Sequence, residues 1–162
     1  MSRRPSVVID PPLEVAEIEF IAAFAMEAGS KGVRRVWPGQ PSRRCPWRPT
    51  RDGQFLELDV AMATSDPDSV ASWLRFLSRE FLAPSTAASL DAALTQGLRG
   101  GHRLTGEVLV GADRRVAVEL GRVTEETLPP PERDAVVLDM DTHRNGHPHG
   151  AGRQGRPGQT ER

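Results

Sequence analysis

Apolar residues in the first part of the chain recur first with the spacing of a short strand and then with that of a helix. Residues 6–9 form a β-branched run, which predicts a strand that ends at Asp10. Asp10 is also the expected N-cap of a helix, since prolines at 11 and 12 are tolerated in a first turn. This helix is expected to end at Gly29. Its apolar positions are Leu13, Ala16, Phe20, Ala23 and Phe24, with Glu14, Glu17 and Glu27 on its other faces.

The clearest helical pattern in the chain follows the segment 65–68, where either Ser65 or Asp66 can serve as N-cap before Pro67. Pro84 interrupts this pattern, and Ser85 is expected to cap a further alanine-rich helix that extends through Leu98. The amphipathic stripe of the first of these two helices consists of Val70, Trp73, Leu74, Leu77, Phe81 and Leu82.

Alternating apolar positions predict the remaining strands. Residues 55–62 follow an Asp-Gly turn and predict a central strand, and residues 104–110 and 115–123 predict a hairpin. Residues 33–37 and 136–138 are weaker strand candidates. The order of strand, helix, strand, helices and hairpin predicts an α+β fold, a two-layer sandwich with a mainly antiparallel sheet and helices on one face.

Composition divides the chain into a folded part and a tail. Hydrophobic residues make up 38% of the 162 residues, and the polar excess lies mainly in residues 38–53 and 141–162. Because residues 141–162 contain almost no apolar side chain, burial cannot offset the entropy of ordering them. We therefore predict a single α+β domain over residues 1–128, followed by a proline-rich linker and a disordered tail over residues 129–162.

The same composition favours a cytoplasmic protein that does not insert into membranes. No apolar run approaches the length needed to cross a bilayer, and the N-terminus lacks the apolar region of a signal peptide. Cys45 is the only cysteine, so an internal disulfide is excluded, and a reducing compartment is expected. The oligomeric state is left open by the sequence.

Charge is distributed unevenly along the chain. Residues 31–51 carry seven basic and no acidic side chains, whereas residues 52–141 carry eight basic and sixteen acidic ones. Arginine is abundant throughout, as a GC-rich coding sequence would produce, so only its placement is informative. We call residues 31–53 the basic loop, because four prolines between positions 38 and 49 predict loop or extended chain outside the core.

The basic loop combines guanidinium and indole groups, which suggests a binding surface. Guanidinium groups bind phosphates and carboxylates, and indole faces can stack on bases, so a protein partner and single-stranded nucleic acid are both candidate ligands. The alternative is structural: the tryptophans pin the loop to an acidic body, and the arginines pair with its carboxylates. The binding candidates are Arg34, Arg35, Trp37, Arg43, Arg44, Trp47 and Arg48.

Carboxylates on the predicted strands offer a different hypothesis, a metal-dependent enzyme. Glu57 and Asp59 are two residues apart and are expected on the same side of one strand, and Glu107 and Glu119 lie on the predicted hairpin. Paired carboxylates could bind a divalent cation or transfer protons. A solvated sheet face explains the same pattern more simply.

Other reactive side chains lack the partners that catalysis requires. Cys45 lies among arginines, which predicts a lowered thiol pKa, but no histidine base is nearby. His102 follows two glycines and is interpreted as a turn residue, and the remaining histidines (His143, His147, His149) lie in the predicted tail. Because nucleotide-binding glycine loops and CxxC pairs are also lacking, we expect no cofactor, no dedicated metal site and a non-catalytic binding or accessory module.

Three segments resemble a group of uncharacterised actinobacterial and phage-associated small proteins. These segments are residues 36–47 (VWPGQPSRRCPW), 72–77 (SWLRFL) and 81–84 (FLAP), and residues 101–108 are similar to the start of that group's C-terminal hairpin. The resemblance covers residues 5–124 and implies a small accessory protein without an assigned activity. Between Leu58 and Asp68 the chain departs from the group, which carries a charged aromatic stretch there.

A third functional hypothesis is that the acidic body itself is the interface, with the basic loop only structural.

Overall fold

An antiparallel sheet forms one layer of the computed structural model, which describes residues 4–27 and 37–129. Within these residues the sheet has six strands in the order β2-β3-β1-β4-β5-β6, and every neighbouring pair is antiparallel. The strands are β1 (Ser6–Asp10), β2 (Trp47–Pro49), β3 (Phe55–Leu58), β4 (Arg103–Val110), β5 (Arg114–Glu119) and β6 (Arg122–Thr127).

Helices form the second layer, and this arrangement confirms the predicted α+β fold. They are α1 (Val15–Glu27), α2 (Val60–Ser65), α3 (Pro67–Leu77), a π-helical turn (Ser78–Leu82) and α4 (Ala87–Thr95). None of the helices in the described residues is long and apolar enough to cross a membrane. All described residues fall within one unit, Met1–Pro130.

Alternation along the strands places the core on one side of the sheet. Val7 and Ile9 of β1 are buried, whereas Val8 between them is 44% exposed. On β4, Val108 and Val110 are buried and Leu109 is exposed. The helices cover the buried face, and the predicted stripe of α3 and the π-helical turn is confirmed, since all six of its apolar side chains are buried.

Two strand predictions were wrong in their boundaries. The strand predicted over residues 55–62 ends at Leu58, because the side chain of Asp59 accepts a hydrogen bond from the Met62 backbone N–H (3.2 Å) and caps α2. The second arm of the predicted hairpin divides into β5 and β6 at Leu120 and Gly121. Both residues have positive φ, 48° and 84°, which suits a tight two-residue turn.

The proline-rich stretch was also predicted wrongly in part, because residues 47–49 form β2 at an edge of the sheet instead of loop outside the core. Pro49 has no backbone N–H to donate, and an edge strand tolerates that loss because only one of its sides is paired. The turn predicted at Asp52-Gly53 is confirmed. Gly53 has φ 69°, and a Cβ there would lie 2.4 Å from the Leu13 carbonyl oxygen, so a side chain would collide with the start of α1.

Helix starts were predicted with mixed success. The start of α3 is confirmed, with Asp66 as N-cap and Pro67 as the first residue. The α1 cap at Asp10 was wrong: Glu14 occupies the cap position, because its carbonyl accepts the Ile18 N–H (2.9 Å) and the Glu17 side chain accepts its N–H (2.9 Å). Helix α4 ends at Thr95, short of Leu98, and its cap is Thr86, which forms a reciprocal capping box with Ser89, and not Ser85.

Several sequence predictions lie outside the described residues. These are the end of the first helix at Gly29, all but Trp37 of the short strand predicted over residues 33–37, the weak strand over residues 136–138 and the disordered tail with its three histidines. Of the binding candidates, Arg34 and Arg35 also lie outside the described residues.

Candidate binding site on the basic loop

Trp47 is a core residue of the sheet. Its side chain has no exposed surface, and it lies on β2 opposite Leu58. The indole N–H donates a hydrogen bond to the Val70 carbonyl of α3 (2.9 Å), which satisfies the only polar atom of the ring. An indole held in this way is not available to stack on a base or on a partner side chain.

Trp37 also packs against the core, although it remains half-buried. Its ring lies edge-on to Phe81, with ring centroids 5.0 Å apart, and edge-on to Phe24 at 6.4 Å. Edge-to-face contacts of this kind stabilise aromatic clusters beyond the area that they bury. The contacts of both tryptophans are therefore those of the structural alternative, in which they pin the loop to the body.

A third tryptophan, Trp73, is hydrogen-bonded to the basic loop. The indole N–H of Trp73, on α3, donates to the Ser42 hydroxyl (2.9 Å), and that hydroxyl donates to the Arg44 carbonyl (3.2 Å). The Gln40 side-chain amide donates to the Ser42 carbonyl (2.7 Å). These bonds fix the backbone of residues 40–44 above the helical layer.

Cys45 corrects the prediction of a reactive thiol. The residue is buried, and its thiol donates a hydrogen bond to the Trp47 carbonyl (3.3 Å). Burial raises the pKa of the Cys45 thiol to about 12, and the positive charge of Arg48 lowers it by less. The predicted decrease in pKa was wrong because the neighbouring arginines point into solvent while the thiol points into the core.

The described arginines of the basic loop behave differently from its tryptophans. Arg43, Arg44 and Arg48 are exposed, and among the residues that the structure describes no carboxylate lies within ion-pair distance of them. Arginines elsewhere in the fold do pair with acids: Arg75 with Glu125 at 3.0 Å, for example. The pairing of loop arginines with the acidic body, which the structural alternative also required, is therefore not seen for these three.

Two of these arginines border an open cleft between the loop and the helical layer. We call this the loop–helix cleft; its volume is about 360 Å³. Ala61 and Met62 of α2 form an apolar wall, and Asp66 is the only carboxylate in the lining. The lining residues are Ser42, Arg43, Arg44, Ala61, Met62, Ser65, Asp66 and Ser69.

The four candidate carboxylates are not brought together. Glu57 lies on β3, 3.4 Å from Arg4, whereas Asp59 caps α2 and is not on the strand as predicted. Glu107 and Glu119 lie on β4 and β5, and both are exposed. In residues 4–27 and 37–129 no group of three or more His, Cys, Asp or Glu side chains is placed to hold a metal ion. This geometry offers no support for the metal-dependent enzyme.

A buried polar cluster, formed by Glu17 and His102, was not predicted from the sequence. Glu17 and His102 are 1% and 4% exposed, and His102 Nε2 lies 3.1 Å from Glu17 Oε1. The other ring nitrogen, Nδ1, lies 2.7 Å from the Pro11 carbonyl oxygen. His102 was interpreted as a turn residue, but it joins the start of β4 to α1.

The Glu17 carboxylate is fully engaged by donors. Oε1 also accepts the Arg99 N–H (2.8 Å), and Oε2 accepts the Glu14 N–H (2.9 Å). Burial raises the pKa of Glu17, but the hydrogen bonds from Glu14, Arg99 and His102 outweigh burial and lower the pKa below 4.5. The prediction that placed Glu17 on another face of the helix was wrong, because Glu17 is buried and its spacing puts it on the same helical stripe as Leu13, Phe20 and Phe24.

Comparison with known proteins does not place these features in a family. No family model, no curated protein and no solved structure matches the chain. The resemblance to uncharacterised actinobacterial and phage-associated proteins therefore stays a prediction, and function has to be argued from the described surface.

Proposed function

We propose that this protein is a non-catalytic binding module that holds an acidic segment of a protein partner on its basic loop. The observation that carries the proposal is the exposure of Arg43 and Arg44 beside an open cleft, without a carboxylate partner among the described residues. Guanidinium groups pair well with carboxylates because their fork of donors matches the two oxygens.

The lining of the loop–helix cleft favours a segment that is both acidic and apolar. Ala61 and Met62 give one wall an apolar surface, and methionine side chains adapt easily to different partner shapes. Arg43 and Arg44 line the same cleft from the basic loop. A partner segment with an apolar side chain next to an Asp or Glu would match both parts of this lining.

Single-stranded nucleic acid is a poorer match for the same surface. Proteins that bind single strands stack bases on exposed aromatic rings, but Trp47 is buried and Trp37 packs edge-on against Phe81. The exposed arginines therefore still support a binding role for the basic loop, whereas the packed tryptophans do not support stacking on bases.

The loop is prepared for binding before a partner arrives. The Trp73–Ser42 and Gln40–Ser42 hydrogen bonds fix the backbone that carries Arg43 and Arg44, so less backbone freedom is lost on association. Ordering of long arginine side chains still costs entropy. We therefore expect moderate affinity that depends strongly on ionic strength, as is typical of exposed charge pairs.

The test is an affinity purification from the organism's own cells with three baits: the wild-type protein, the R43E/R44E variant and an R103E control. Arg103 is a suitable control because it is exposed on β4, three positions from β2 in the sheet, and lacks a carboxylate partner among the described residues. A supporting result is a protein that is retained by wild type and R103E, lost from R43E/R44E and unaffected by nuclease treatment.

The captured partner is then reduced to a defined interaction. A synthetic peptide that covers its most acidic segment is titrated against each variant, with the intrinsic fluorescence of the three tryptophans as the signal. We expect R43E/R44E to weaken binding by on the order of a hundredfold and R103E to leave it within about twofold. Equal capture by all three baits, or capture that nucleases abolish, would refute an acidic protein partner at this cleft.

A further inference from the structure

A second cleft lies at the β2–β3 hairpin, apart from the loop–helix cleft. We call it the hairpin cleft; its volume is about 640 Å³, and it is lined by Arg4, Arg48, Pro49, Arg51, Glu57, Leu58, Asp59 and Val60. No lining residue is shared with the loop–helix cleft. Three guanidinium groups and two carboxylates thus face one open space.

Both carboxylates of the hairpin cleft already have partners. Asp59 accepts the Met62 N–H (3.2 Å) as the cap of α2. Glu57 pairs with Arg4 at 3.4 Å. Arg48 and Arg51 are exposed, and within residues 4–27 and 37–129 neither has a carboxylate at ion-pair distance. Two guanidinium charges on one cleft are therefore left without a counter-ion from the described part of the protein.

The hairpin holds the backbones of these two arginines in place. Arg48 is paired in register with Glu57 on β3. Arg51 lies in the turn that follows β2, where the Thr50 hydroxyl donates to Asp52 (2.5 Å) and Asp52 accepts the Gln54 N–H (3.1 Å). Asp52 is the acid next to Arg51 in sequence, and these bonds direct its side chain into the turn and away from ion pairing.

We propose that the hairpin cleft binds a small oxyanion of the phosphate class through Arg48 and Arg51. Two guanidinium groups can each donate paired hydrogen bonds to a tetrahedral oxyanion, and together they balance its double charge. Glu57 and Asp59 restrict the site, because they repel a larger polyanion and accept hydrogen bonds from hydroxyl or amino groups of the ligand. A phosphate monoester with such donors would match both signs of charge in the lining of the cleft.

Inorganic phosphate is the probe for this site, observed through the amide and arginine side-chain N–H signals in NMR spectra of the full chain. We expect saturable shifts at Arg48 and Arg51 and an affinity at least about tenfold weaker in R48A/R51A. The E57Q variant should bind phosphate more tightly, because it removes a repelling charge and frees Arg4. An R103A variant should behave as wild type.

Several results separate this proposal from its alternatives. Shifts that do not saturate, or that appear equally at Arg103, would overturn it in favour of non-specific ion binding, as would unchanged affinity in R48A/R51A. Displacement of phosphate by an acidic peptide would overturn the phosphate-class ligand, because it would mean that the cleft accepts peptide carboxylates in its place. The R43E/R44E variant should keep phosphate binding, so the outcome does not depend on the partner proposed for the loop–helix cleft.

Discussion

In two loops of this protein, the structure gives side chains roles that differ from those that the residue composition suggests. The basic loop carries two tryptophans and a run of arginines, and its tryptophans serve the core. The loop at residues 99–102 has the composition of an ordinary glycine turn, but it places His102 and the Arg99 N–H within hydrogen-bond distance of the buried Glu17 carboxylate. Composition states which groups are present, whereas tertiary contacts decide which of them meet solvent.

The largest expected effect in this comparison belongs to Trp47. Trp47→Ala would empty a fully buried indole site and leave the Val70 carbonyl without its donor, so we expect a loss of about 3–5 kcal/mol in the free energy of unfolding. The measurement is urea denaturation at neutral pH. Trp47→Phe separates the two causes, because it keeps most of the volume and removes only the hydrogen bond.

A tryptophan that served only to bind a partner would contribute little to the free energy of unfolding. If Trp47→Ala left the free energy of unfolding within about 1 kcal/mol of wild type, the indole could not be the core residue described above. The matched control is the R43A/R44A variant, in which only exposed guanidinium groups are lost. We expect it to stay within about 0.5 kcal/mol of wild type.

Glu17→Gln tests the other loop and should cost about 3 kcal/mol. The substitution keeps the shape of the side chain but replaces one acceptor oxygen by an NH₂ group, which cannot accept a hydrogen bond, so either the Glu14 N–H or the Arg99 N–H loses its acceptor. Glu14→Gln is the control, because its ion pair with Arg99 is exposed and contributes little. Similar costs for the two variants, measured by the same denaturation, would contradict a buried cluster.

The pH dependence of stability gives a smaller but more specific effect. The folded-state pKa of Glu17 lies below the unfolded value of 4.5, so its contribution is complete above that pH and is lost as the pH falls through the folded pKa. We expect the wild type to lose stability more steeply than Glu17→Gln below pH 4.5. The neighbouring charges, Glu14 and Arg99, are retained in both proteins.

Asp52 has to be separated from this effect, since hydrogen bonds from Thr50 and Gln54 lower the pKa of its carboxyl as well. The Asp52→Asn variant therefore serves as a second reference in the same acid titration. A slope below pH 4.5 that is unchanged in Glu17→Gln but reduced in Asp52→Asn would assign the acid sensitivity to the hairpin turn instead of the buried cluster.

Local patterns were sufficient to predict much of the fold. The stripe from Val70 to Leu82 and the turn at Asp52-Gly53 are local signals, and both predictions are confirmed. Strand β2 was missed because three residues with a proline carry no strand pattern, and only pairing with β3 makes them a strand. Glu17 and His102 are 85 residues apart in sequence, so their contact is invisible to any local pattern.

The chemical groups of the basic loop were predictable from the sequence, but the packing of its tryptophans was not. The run without acids between positions 31 and 51 pointed to the arginines, and those that the structure describes are exposed. The roles of Trp37 and Trp47 depended on aromatic neighbours from α1 and the π-helical turn and on a carbonyl from α3. Those neighbours come from elements more than ten residues away in sequence, which explains why the loop alone could not decide between stacking and packing.

Ser42 connects the two kinds of residue in the basic loop, and we expect its removal to have a small effect on stability. Ser42→Ala takes the acceptor from the Trp73 indole N–H and the donor from the Arg44 carbonyl, at a cost of about 1 kcal/mol, since water can reach this partly exposed position. Ser72→Ala is the control, because its hydroxyl bonds only to the Asp68 carbonyl on the exposed side of α3. If the loop backbone is held by this bond, Ser42→Ala should also broaden the amide NMR signals of residues 40–44 and weaken partner binding, while Ser72→Ala should change neither. Unchanged signals in Ser42→Ala would mean that the buried segment at Cys45 and Trp47 alone positions the arginines.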